Sequence, residues 1–211
     1  MFGLILKDMY ISRKYIKMCG IVILICTVLA IFVPAFYNYF NFITSFLVLI
    51  GSLVVVTTFA YDNLAKWDVF AATMPISRAK IIISKYIFTL IFVTITTTIS
   101  IGIVVAVRLI NRENIEFTAF LPPLVSLAMG LFVTSVIIPI TVKFGVEKSR
   151  IILIMLMTVP LVIGGILQSL GASAPTENAI KTVIMLLPLI ILALFVISIG
   201  VSIKLFQNKE L

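Results

Sequence analysis

A chain of 211 residues could form one ordinary soluble domain, but 62% of these residues are apolar, only 11% are charged and none is histidine. With a mean hydropathy of +1.29, that composition excludes soluble usage and makes lipid the solvent of the fold. The net charge of +8 would suggest nucleic acid in a soluble protein; here it falls in segments flanking apolar runs, as expected of loops facing an anionic leaflet, so no nucleic-acid partner is expected.

Residues 1–18 come first. On a helical wheel at about 100° per residue, Lys7, Arg13, Lys14 and Lys17 share an arc of roughly 120°, with Phe2, Leu4, Ile5, Met9, Ile11, Tyr15 and Ile16 around the rest. This predicts an interfacial helix in the plane of the inner leaflet, its basic arc toward lipid phosphates and water. The alternative is a basic topogenic flank without fixed structure.

The uncharged run from Met18 to Tyr61 holds 44 residues, about twice what one span needs. Pro34 and the polar, aromatic stretch Tyr37-Asn38-Tyr39-Phe40-Asn41 break it, which predicts spans over 19–37 and 42–61 joined by a tight outer turn. Cys19 and Cys26 lie seven apart in the first span, where an apolar setting suits packing better than metal or redox chemistry. The first span is longer than a signal-peptide core and lacks a small-residue cleavage site, so it is expected to be retained. Further uncharged runs predict spans over 86–107, 118–142, 151–170 and 182–203, giving an all-α protein of six transmembrane helices. A β-barrel would alternate apolar and polar residues, and these runs do not. Thirteen of the sixteen Lys and Arg residues then fall on one side, with only Arg108, Arg112 and Lys181 on the other. The basic side reads as cytoplasmic, with both termini there, in a multi-pass cell-membrane protein.

The cytoplasmic loop 62–85 holds the only tryptophan. Trp67, Phe70, Ala71 and Met74 recur at i, i+3, i+4 and i+7, so a short helix presents one apolar face, with Asn63, Lys66 and Thr73 turned away. Pro75 stops it, and Ser77 caps the helix that runs through Lys85 into the third span. Such a face fits docking into a groove of another protein, or it rests on its own bundle or on lipid.

Asp62, Trp67, Pro75-Ile76-Ser77-Arg78 and Ser84-Lys85-Tyr86, at these spacings, resemble the loop between spans two and three of permease subunits in type-2 ABC exporters, a likeness that extends to the size and layout of small bacterial six-span members. The resemblance implies that the loop is a coupling helix seated in a cytoplasmic ATPase subunit. Trp67, Phe70 and Met74 would form its docking face, Asp62 and Asp68 would be polar contacts or caps at its start, and Arg78 would anchor the bend after Pro75 by a charge-assisted hydrogen bond. It also implies two ATPase copies and a second permease subunit, identical or paralogous.

No P-loop pattern occurs, so ATP and its Mg²⁺ belong to that partner chain, and this chain is expected to bind no cofactor or metal. Without a histidine or a charge deep in a span it offers no catalytic centre, and it is expected not to be an enzyme. The same absence counts against ion-coupled transport. Thr89, Thr94, Thr96, Thr97, Thr98 and Ser100 in span three either line a path or bond back to their own helix. Gly102 and Gly164-Gly165 are expected at close helix contacts, and Pro139, Pro160 and Pro188 at kinks. Short outer loops and apolar spans suit a hydrophobic or amphipathic cargo such as a peptide, an antibiotic or a lipid. A secondary transporter or channel without ATPase, and a membrane-embedded immunity or scaffold protein, are the competing classes.

Overall fold

In hydrocarbon a backbone finds no water, so a long apolar chain satisfies its N–H and C=O groups within helices. The structure is a computed structural model and describes residues 1–32, 40–73, 76–112, 117–169 and 177–208. Among these residues every regular element is helical: α1 (Phe2–Ile11), α2 (Arg13–Phe32), α3 (Phe40–Ser52), α4 (Val54–Leu64), α5 (Trp67–Ala72), α6 (Arg78–Ile110), a 3₁₀ turn (Phe117–Phe120), α7 (Leu121–Phe144), α8 (Val146–Ser169) and α9 (Glu177–Gln207). Four segments among the described residues are long and apolar enough to cross a bilayer: Thr44–Leu64, Arg78–Ile110, Leu121–Phe144 and Leu186–Gln207. The chain is a polytopic α-helical membrane protein. Pro34, most of the Tyr37–Asn41 turn, Met74 and Pro75 lie outside the described residues.

Helix α7 is central and packs against α3, α6, α8 and α9. Prolines 122 and 123 open it, where missing donors cost nothing, and Gly145 ends it at φ +84°, a conformation that favours glycine. Its inward residues Val133, Ile137, Ile138 and Val142 join Leu4, Val55, Ile82, Tyr86 and Phe206 in one core. Close helix approach falls at glycines other than Gly102, which has no neighbour within 4 Å of an added Cβ. A Cβ on Gly51 would stand 2.8 Å from Thr96 Cγ2, and one on Gly130 would stand 3.1 Å from Ser52 Cβ. Small residues at these two points let α3 press onto α6 and α7.

Polar side chains inside the bundle satisfy themselves locally. Thr89, Thr94, Thr97 and Thr98 donate to the carbonyls of Lys85, Leu90, Val93 and Thr94, one turn back, and Thr96 donates to Phe92 and Val93. Ser100 donates across to the Thr44 carbonyl on α3. The threonine row therefore closes its own hydrogen bonds. Pro139 and Pro188 sit inside continuous helices. Pro139 leaves the Ser135 carbonyl without its helical donor, and Ser198 of α9 supplies the missing hydrogen. The Tyr86 hydroxyl of α6 lies 2.6 Å from Ser198 Oγ and 2.8 Å from Ser202 Oγ, joining three helices in one network.

Candidate functional site

One end of the bundle gathers α1, the end of α4, α5, the start of α6 and the end of α9. Two acids and two bases meet there, all but Lys7 out of solvent. Lys85 Nζ lies 2.8 Å from Asp8 Oδ1 and 2.6 Å from Asp62 Oδ2. Lys7 Nζ lies 2.7 Å from Asp62 Oδ1 and 3.3 Å from Asp8 Oδ1. The side chains of Lys85, Asp8 and Asp62 are 2%, 1% and 6% exposed, so the four charges cancel in a low-dielectric setting where an unmatched one would be expensive. Each lysine also sits over a ring: Lys7 Nζ is 4.3 Å from the centre of Trp67, and Lys85 Nζ is 5.1 Å from that of Phe59. Asp8 Oδ2, Ser12 Oγ and Trp67 Nε1 are buried without a hydrogen-bond partner among the described residues.

The corner between α4 and α5 turns at Lys66, whose φ of 48° and ψ of 39° place a non-glycine residue in the left-handed region. That turn directs Trp67 and Ala71 toward the core, on which both pack. Phe70 points the other way at 54% exposed, and Leu64, just before the turn, is 80% exposed. The apolar stripe read from the sequence is thus shared: Trp67 and Ala71 rest on the bundle, and Phe70 faces out. The Asp68 side chain lies outside the described residues.

Asp62 faces Lys7 and Lys85 inside the protein. Lys7 leaves the basic arc expected of it, because Asp62 and Trp67 draw it inward. Arg13, Lys14 and Lys17 remain exposed on the first turns of α2, since α1 ends at Ile11. Arg78 Nη1 donates to the carbonyl of Gln207 at 2.8 Å, tying the start of α6 to the last turn of α9 with a cation placed where helix carbonyls lack partners. Ser77 holds the N-cap position with extended backbone and no side-chain capping bond. Sequence reasoning names Lys85 only as part of the loop motif, and Asp8 not at all. Asp8 is the only carboxylate before residue 62, in a segment of basic and apolar residues, and that isolation is the signal that could have marked it.

A helical bundle with four long apolar segments and a short helix between them, joined to them by buried charge, defines a polytopic membrane protein. A family model for the ABC-2 family transporter protein matches residues 3–207, and the chain belongs to that family. It is therefore a type-2 ABC permease subunit, and membership implies association with an ATP-binding subunit. Neither the curated proteins nor the solved structures compared with the chain give a match.

Proposed function

We propose that this chain is the six-span permease half of an ATP-driven exporter, with both termini and α5 in the cytoplasm, and that α5 is its coupling helix. Helices α2 and α8 supply the two spans beyond the four long apolar segments. Two such permeases, identical or paralogous, would pair over two ATPase subunits that hold ATP and Mg²⁺. The exported cargo is hydrophobic or amphipathic, in keeping with the apolar spans.

The observation that carries this reading is the link from α5 to α6 through Trp67, Lys7, Asp62 and Lys85. Phe70 and Leu64, with Met74 and Asp68 beside them in sequence, are the contacts for the ATPase groove. ATP draws the two ATPase subunits together and moves α5. Because Trp67 presses on Lys7, and Lys7 shares Asp62 with Lys85, the displacement reaches the base of α6 instead of dissipating in a loop. Arg78 carries the same movement to the end of α9.

The test separates docking from transmission. Phe70→Ala is expected to abolish co-purification of the ATPase subunit while the permease still inserts. Trp67→Ala is expected to keep the ATPase bound but to lose the change in its hydrolysis rate that the permease causes. Unchanged co-purification of Phe70→Ala would sink the docking assignment.

A further inference from the structure

Helix α1 is amphipathic in an inverted sense. The face it turns to the bundle carries Leu4 with the polar Asp8 and Ser12, which are 1% and 0% exposed, whereas Phe2, Leu6, Met9 and Tyr10 are 80%, 42%, 57% and 67% exposed. A helix bathed in water would do the opposite, so the outer face of α1 meets an apolar surrounding. Where α1 gives way to α2, Leu6, Met9, Tyr10, Arg13, Ile16 and Lys17 enclose a groove of about 410 Å³, within the roughly 300–1,000 Å³ usual for small-ligand sites. Arg13 and Lys17, one helical turn apart, are the two cations in its lining. Neither they nor Lys14 meets a carboxylate among the described residues, because Asp8 and Asp62 are committed to Lys7 and Lys85.

We propose that this groove is a binding site for one anionic phospholipid of the cytoplasmic leaflet, its phosphate held by Arg13 and Lys17 and its upper acyl chain lying along Leu6, Met9 and Ile16. The guanidinium of Arg13 offers a fork to two phosphate oxygens, Lys17 adds a point charge, and the amphipathic ring of Tyr10 sits at the headgroup level. The proposal rests on the cytoplasmic, interfacial placement of α1 and deepens it: the basic residues form a site with a defined occupant rather than a general attraction to the surface.

The test uses the full-length chain in nanodiscs of mixed phosphatidylglycerol and phosphatidylcholine, released into mild detergent and weighed by native mass spectrometry. The wild type is expected to keep one phosphatidylglycerol per chain. Arg13→Gln with Lys17→Gln is expected to lose it about tenfold or more, given the attraction each surface cation contributes. Met9→Trp, which fills the groove with the charges intact, is expected to lose it as well. Lys14→Gln with Lys148→Gln removes the same charge outside the groove and is expected to change retention less than about twofold. Equal loss in both double variants, no loss in any, displacement of the lipid by inorganic phosphate, or its displacement by added ATPase subunit would each overturn the proposal. A Phe2→Trp reporter in a Trp67→Phe chain, quenched by brominated acyl chains, reads the placement of α1 separately. Quenching together with equal losses overturns the site alone, and no quenching overturns both.

Discussion

The hydroxyl of Ser198 donates to the carbonyl of Ser135, the oxygen that Pro139, four residues on, leaves without its helical donor. The proline in α7 is thereby matched to a serine in α9, and the Tyr86 hydroxyl, within 2.6 Å of the same serine, brings α6 into register with both. Ser198→Ala is expected to destabilise the protein by about 0.5–2 kcal/mol, since a buried carbonyl loses its partner in surroundings that offer no water. Adding Pro139→Ala restores an N–H to α7 and should recover most of that loss. Thermal unfolding of the four proteins in detergent forms a double-mutant cycle that measures the coupling. Additive effects would show that the two residues act independently.

The four charges at the base of α6 give a larger effect. Lys85→Met leaves Asp8 and Asp62 with one lysine between them, and an uncompensated buried charge costs about 3–5 kcal/mol. The variant is expected to lose most of its monodisperse yield on size exclusion. Combining it with Asp62→Asn leaves Lys7 and Asp8, 3.3 Å apart, as a neutral pair, and should recover at least part of the yield. A Lys85→Met protein as well behaved as the wild type would mean that the cluster is solvated.

That the chain is a polytopic helical bundle was legible because hydrocarbon imposes one requirement on every span, and long uncharged runs record it directly. The short helix at Trp67 followed from its i, i+3, i+4 recurrence, and the helix from Arg78 from Ser77 and the apolar run behind it. What side chains touch across helices was not legible. Composition alone cannot say that Lys7 turns inward, because a wheel places it with Arg13, Lys14 and Lys17, and only the remote Asp62 separates it from them. Gly102 looked no different from Gly51 in sequence, yet only Gly51 has Thr96 against it. Local bonding of the threonines, by contrast, needs nothing beyond their own helix and could be read as one of two options.

Gly51 therefore provides a packing prediction. An added Cβ would lie 2.8 Å from Thr96 Cγ2 and 2.9 Å from Thr96 Oγ1. Thr96 is stiff at χ1 and its hydroxyl is held by the Val93 carbonyl, so it yields poorly. Removing a helical glycine contributes about 1 kcal/mol of helix propensity, whereas overpacking costs about 1–3 kcal/mol. Gly51→Ala is accordingly expected to lower the melting temperature on balance. Gly51→Ala with Thr96→Ala removes the clash and keeps the propensity gain, so it should melt at or above the wild type. A single variant more stable than the wild type would show that α3 and α6 do not approach so closely.

Trp67 is the only tryptophan, and its ring lies 5.4 Å from that of Phe70 and 4.3 Å from Lys7 Nζ. Its fluorescence therefore reports on the corner where docking is proposed, without any label. Because Phe70 faces outward while Trp67 rests on the core, a partner that covers Phe70 would dry the surroundings of both rings. Adding the ATP-binding subunit to the full-length permease should shift the Trp67 emission toward the blue, and Phe70→Ala should remove the shift. Lys7→Gln takes away the cation over the ring, an interaction of about 0.5–2 kcal/mol, and should alter the emission of the free permease while leaving the ATPase-induced shift in place. A partner that binds without moving the emission would place its contact away from α5, and the proposed line of transmission through Lys7 and Asp62 to Lys85 would then have no input.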